Sequence, residues 1–97
     1  MEIIFSDRAK KQLTKILVYF DQRNGTSTYS DKLRDEILRK LELINLDFVI
    51  GVKTHRKNVY RIRVENYVIQ YRLHPNHIEV VAIFDARRNV HADRFGL

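Results

Sequence analysis

Between Lys53 and Arg63 the chain carries Lys53, His55, Arg56, Lys57, Arg61 and Arg63 with no acid among them. Such a field suits a phosphate-bearing ligand or an acidic protein surface, and a merely solvated basic face is the bland alternative. Arg72 and the adjacent pair Arg87 and Arg88 extend the set, the pair reading equally as a partner contact or as a clamp on the C-terminal tail. Cleaving a phosphodiester takes a base for the 2′-hydroxyl, an acid for the leaving oxygen, and positive charge at the phosphate. Arginine supplies only the charge, because it keeps its proton at neutral pH. Proton transfer would therefore fall to His55, His74, His77 or His91, the side chains with an ordinary pKa suited to it. His55, beside Arg56 and Lys57, is the best placed, although a loop histidine is more often simply solvated. His74-Pro75-Asn76-His77 spaces two imidazoles three apart, but no third or fourth ligand is in view and a proline turn explains the same residues, so no metal site is expected.

Those side chains sit in 97 residues, enough for a single domain spanning 1–97 with one core. A 44% hydrophobic and 31% charged composition with one proline is that of a folded chain. No cysteine is present, which excludes disulfides, thiol catalysis and Cys-ligated metal centres and fits a reducing compartment. Glu2 and Asp7 place acid where a signal peptide needs base, and no apolar run approaches the roughly 18 residues of a membrane span, so a cytoplasmic protein without membrane contact is expected. The net charge of +6 is uneven, with nine Lys/Arg against eight Asp/Glu in residues 1–50 and nine against four in residues 51–97.

Glu2 to Phe5 is a short apolar run, and Ser6 followed by Asp7 forms a helix start, the hydroxyl accepting a backbone N–H and the acid meeting the positive end of the dipole. Ala9, Leu13, Ile16, Leu17 and Phe20 make one stripe of a 3.6-residue period. Arg23-Asn24-Gly25 ends that helix, and Thr26-Ser27 offers a cap for the next, whose core face is Leu33, Ile37, Leu41 and Ile44 up to about Leu46. Tyr29 and Phe48 are candidates to staple its ends. After Gly51 the period drops to two, predicting strands at Val59–Val64, Tyr67–Leu73 and Ile78–Phe84. With Glu65-Asn66 as a tight turn, Val64 faces Tyr67, Ile62 faces Ile69 and Tyr60 faces Tyr71, so the tyrosines belong to the core. The other face then holds Arg61, Arg63 and Arg72, and a one-residue slip would bury arginines. The expected fold is α+β, in the order β-α-α-β-β-β, a mainly antiparallel sheet of about four strands with a helical hairpin on one face.

In this order, Phe5-Ser6-Asp7-Arg8-Ala9, the strand pair Tyr60-Arg61-Ile62-Arg63-Val64 and Asn66-Tyr67-Val68-Ile69-Gln70-Tyr71, and Phe84-Asp85-Ala86-Arg87-Arg88-Asn89 resemble the RelE/ParE superfamily of type II toxin–antitoxin toxins over residues 2–89. The resemblance implies a small bacterial toxin without metal or organic cofactor, held inactive by a cognate antitoxin that lays a helical or extended segment over it. RelE-like members cut messenger RNA in the ribosomal A site, whereas ParE-like members bind DNA gyrase and arrest replication.

Carried over residue by residue, the nuclease pattern is incomplete. Arg61 and Arg63 match its two basic strand residues and Arg87 its arginine after the last strand. Val68 stands where an arginine is expected after the strand tyrosine, and a valine neither donates to phosphate nor holds charge. The C-terminal tyrosine is missing from Val90-His91-Ala92-Asp93-Arg94-Phe95, Asp85-Ala86 replaces a His-Tyr ending, and the ring of Phe95 transfers no proton. The resemblance therefore leans to a ParE-like gyrase inhibitor with no catalytic residues, using Arg61, Arg63, Arg72, Arg87, Arg88 and His55 to bind its target. A ribosome-dependent endoribonuclease acting on mRNA is the alternative, and a non-toxic basic binding module the second.

Overall fold

The computed structural model describes residues 2–47 and 51–87. Strand β1 (Glu2–Phe5) leads into helices α1 (Asp7–Asn24) and α2 (Thr28–Asn45), followed by strands β2 (Val52–Lys53), β3 (Val59–Val64), β4 (Tyr67–Leu73) and β5 (His77–Asp85). The sheet order is β1-β5-β4-β3-β2, with β1 parallel to β5 and all other pairs antiparallel. The α+β class and the helical hairpin are as expected; the sheet has five strands rather than about four. The extra member is the two-residue β2, too short for its side-chain alternation to register in the sequence.

Helix α1 starts where the capping chemistry requires, with Ser6 extended (φ −63°, ψ 161°) and its Oγ accepting from the Ala9 N–H at 3.1 Å. It ends at Gly25, whose positive φ of 71° lets its N–H return to the Asp21 carbonyl at 2.9 Å. Ser27 behaves differently from the expected cap. Its backbone (φ −95°, ψ 7°) is outside the extended region, its side chain makes no cap bond, and its hydroxyl bonds Asp31 at 3.1 Å instead. Tyr29 packs on Phe20 at 4.6 Å between ring centroids and so ties the start of α2 to α1; Phe48 lies outside the described residues.

Leu33, Ile37, Leu41 and Ile44 are all buried, and the α1 stripe contributes Ala9 fully and Leu13, Ile16, Leu17 and Phe20 in part. They meet Ile62, Val64, Tyr67, Ile69, Tyr71, Ile78, Val80 and Ile83 from the sheet. Each fully buried aliphatic side chain stabilises the fold by roughly 1.5–3 kcal/mol. Val64 opposite Tyr67, Ile62 opposite Ile69 and Tyr60 opposite Tyr71 is the register the alternation demands. The two-residue turn closes with Glu65 at φ 54°.

One irregularity decides what lies where along β5. Gln70 pairs with Ala82 but Tyr71 with Val80, so Val81 is an extra residue in a β-bulge. The core alternation of β5 therefore jumps from Ile78 and Val80 to Ile83. The freed groups are held by α1, since the Val81 carbonyl accepts from Ser6 Oγ at 3.3 Å and the Ile83 N–H donates to Gln12 Oε1 at 2.7 Å.

At the other side of the sheet, Gly51 lies against β3 and β4. Its N–H donates to the Tyr71 hydroxyl at 2.9 Å, and a Cβ there would sit 2.6 Å from the Arg61 carbonyl and 2.7 Å from that hydroxyl. Gly51→Ala is expected to destabilise the fold by about 1–3 kcal/mol in urea unfolding, because backbone has to move. Burial, the leading cause, together with neighbouring Tyr60, outweighs the opposing Gly51 bond and raises the Tyr71 pKa above its ordinary 10.0. A raised native pKa means that neutral Tyr71 stabilises the fold fully below pH 10 and that this contribution is lost as pH rises through the native value. Tyr71→Phe should therefore cost about 1 kcal/mol at neutral pH and flatten the alkaline decline in unfolding free energy measured by pH-dependent denaturation.

Candidate interaction face

The face of the sheet opposite the helices is built by β3 and β4. Arg61 stands across from Gln70, Arg63 across from Val68, and Arg72 between Val59 of β3 and Glu79 of β5. In this register the three guanidinium-bearing residues share one side, as strand alternation requires. Arg63 is exposed, its Nε donating to the Glu65 carbonyl at 3.0 Å, while Arg61 and Arg72 are half-buried. The Nε of Arg72 and both amide atoms of the buried Gln70 are without hydrogen-bond partners. Beside the arginines, on β4 and β5, lies a small apolar group of Val68, Ala82 and Phe84, with Ala86 packed on it. Val68, at the position where the nuclease pattern has an arginine, is thus a buried packing residue.

The other candidates do not join this cluster. His55 is exposed in the loop between β2 and β3, at the Arg72 end of the sheet, where Thr54 Oγ1 donates to the Val59 carbonyl at 2.8 Å and accepts from the Arg56 N–H at 3.2 Å. Arg87 follows β5 and faces a different way. It lines a cleft of about 640 Å³ beside α1, with Lys15, Tyr19, Phe20, Arg23 and Tyr67 among its walls. Asp85 holds it there, accepting from the Arg87 N–H at 2.9 Å and from its guanidinium at 3.3 and 3.2 Å. That hydrogen-bonded carboxylate, more than any other cause, raises the Arg87 pKa. Asp85 is thus ion-paired with Arg87, while Arg88 lies outside the described residues. The bulge at Val81 is the reason for the separation, because it returns Asp85 to the side of the core tyrosine Tyr67.

His74 and His77 flank the proline turn, the His74 N–H bonding the His77 carbonyl at 2.9 Å. Their rings stack at 4.2 Å, Nε2 of His74 meets Glu79 Oε1 at 2.8 Å, and Nδ1 of His77 meets Asn76 Oδ1 at 2.9 Å. Among the described residues no three such ligands converge on a metal position, and no helix is long and apolar enough to cross a membrane.

Sequence alone left two features unread. Gln70 looked like an ordinary outward-facing polar residue of β4, and the signal that sets it apart, burial without partners, exists only in three dimensions. Lys15 and Arg23 gave no sign of sharing a cleft with Arg87, because helix and strand meet there across the whole length of the chain.

The family model for the ParE toxin of type II toxin–antitoxin systems, parDE, matches residues 3–90. The chain belongs to the ParE toxin family. It is the toxin component of a type II system, ParE-like within the RelE/ParE superfamily, and its partner class is an antitoxin. No curated protein matches the chain. Among solved structures, the chromosomal ParDE toxin–antitoxin system from P. aeruginosa aligns at a TM-score of 0.71 and 15% identity, over 88% of this chain and 95% of that one. The YoeB dimer from Staphylococcus aureus aligns at 0.60 with 21% identity over 84% and 92%. The toxin–antitoxin complex DinJ-YafQ from E. coli aligns at 0.58 with 10% identity over 91% and 94%. At these identities the structural likenesses establish the fold, and the family model carries the identification.

Proposed function

We propose that this ParE-family toxin binds and inhibits DNA gyrase in the cytoplasm, using the basic face of Arg61, Arg63 and Arg72, with His55 at its edge, and that its cognate antitoxin neutralises it. The observation that carries the reading is the ParE family match over residues 3–90. Arg87, beside the α1 cleft, contributes to target binding from the far end of the sheet, and Arg88, next to it in sequence, adds a second permanent charge. Three guanidinium groups on one strand pair give a bidentate, permanently charged surface for acidic side chains, and the electrostatic part of that attraction falls with ionic strength. Val68 supports inhibition over cleavage, since a buried valine occupies the position where the nucleases place a phosphate-binding arginine.

Purified toxin is expected to block gyrase supercoiling while leaving messenger RNA intact in a reconstituted translation reaction. Arg63→Ala, at an exposed position, and the double variant Arg61→Ala/Arg63→Ala should raise the toxin concentration for half-inhibition by about tenfold or more, equivalent to about 1.4 kcal/mol of binding. Ribosome-dependent cutting of the message, abolished by the same substitutions, would establish the nuclease alternative instead.

A further inference from the structure

Gln70 is one of two buried polar residues among the described ones, and the two are treated differently by the fold. Ser30 is satisfied, its hydroxyl bonded to Asp21 Oδ1 and to the Ser27 carbonyl. Gln70, 1% exposed in the middle of the sheet, leaves both its amide nitrogen and its carbonyl oxygen unpartnered. Two residues on, along the same face, the Nε of Arg72 is likewise buried and unpartnered. A donor and an acceptor left unmet in a folded interior are a standing cost to stability. Val or Leu in the same strand position would avoid that cost, as Val68 next to it does. An unpartnered amide where an apolar residue would fit breaks the rule of polar satisfaction, as functional sites do.

The surroundings say what kind of complex. Gln70 has Arg61 across the ladder on one side and Ala82 on the other, with Val68 and Arg72 as its neighbours along β4. Cations next to a small apolar cluster of Val68, Ala82 and Phe84 suit a polypeptide carrying acids and apolar side chains. Nucleic acid would need exposed rings to stack upon, whereas Phe84 on this face is buried and the sheet tyrosines Tyr60, Tyr67 and Tyr71 belong to the helix-covered core. A primary amide offers one donor side and one acceptor side, the complement of a backbone peptide group.

We propose that Gln70, with Arg72, is a recognition point for an extended acidic segment of the antitoxin, which pairs its backbone peptide group with the buried amide and a carboxylate with the Arg72 guanidinium. The flexible arginine side chains beside Gln70 reorient toward the carboxylates as the segment settles, opening the amide to it. This rests on the toxin having an antitoxin partner and is independent of gyrase as the target.

The test titrates purified wild-type toxin and Gln70→Leu with the cognate antitoxin, well below the melting point of either, and measures Tm for each free toxin. Gln70→Leu is expected to raise the Tm of the free toxin by about 4 °C or more and to raise Kd for the antitoxin by at least about tenfold, or 1.4 kcal/mol. Gln70→Glu, which sets an anion against the acidic segment, should weaken binding further. If Gln70→Leu does not fold, Gln70→Met carries the same expectations, being unbranched and of similar length. An unchanged Kd in the folded variant overturns the proposal whichever way Tm moves, because a purely structural amide alters only Tm. Intact antitoxin affinity with lost supercoiling inhibition also overturns it, assigning the amide to the target. Wild-type toxin that spares gyrase, together with a weakened antitoxin complex in Gln70→Leu, removes the target reading and leaves this one standing.

Discussion

The pairing of β3 with β4 is the constraint from which the rest of the molecule follows. Side chains alternate across a sheet with a period of two, so one register choice assigns every residue of both strands to a side at once. With Ile62 opposite Ile69 and Tyr60 opposite Tyr71, the apolar members meet the two helices and Arg61, Arg63 and Arg72 are sent together to the reverse. Moving the pairing by one residue would bring guanidinium groups under α1 and α2, where no acid is buried among the described residues to receive them. Core formation and the concentration of positive charge are therefore the same event seen from two sides.

The bulge at Val81 modifies that arrangement at a distance from the turn. An extra residue in β5 rotates the strand end, so Asp85 emerges beside Tyr67 on the helix side and carries Arg87 with it into the α1 cleft. Ser6 serves two structures at once, accepting the Ala9 N–H to start α1 and donating to the Val81 carbonyl that the bulge leaves free. The cationic residues are consequently divided between the sheet face opposite the helices and a cleft lined by aromatic rings.

That division bears on the chemistry within the superfamily. The resemblance drawn from residue patterns leaned to ParE because Val68 replaces a catalytic arginine, and the match of the chain to the ParE family model agrees with that reading. In three dimensions Val68 is a packing residue against Ala82 and Phe84, so its replacement of arginine belongs to a small apolar layer on the reverse of the sheet. Arg87, which resembled the nuclease arginine after the last strand, is ion-paired to Asp85 at 3.2 Å.

Much was legible in the order of residues because it depended on local rules. Ser6 and Gly25 mark the ends of α1 through their own hydrogen bonds and backbone freedom, Leu33, Ile37, Leu41 and Ile44 declare a helix face by spacing, and the turn at Glu65-Asn66 sets a register within a dozen residues. What depended on contacts between distant segments was not legible. The parallel pairing of Glu2–Phe5 with β5, the two-residue β2 held by its neighbour, the bulge that turns Arg87 away from Arg61, and the isolation of Gln70 all arise where chain ends or remote strands meet. Periodicity reports which side of an element is apolar; only the assembled sheet decides which element lies beside which, and whether a polar group on that side finds a partner.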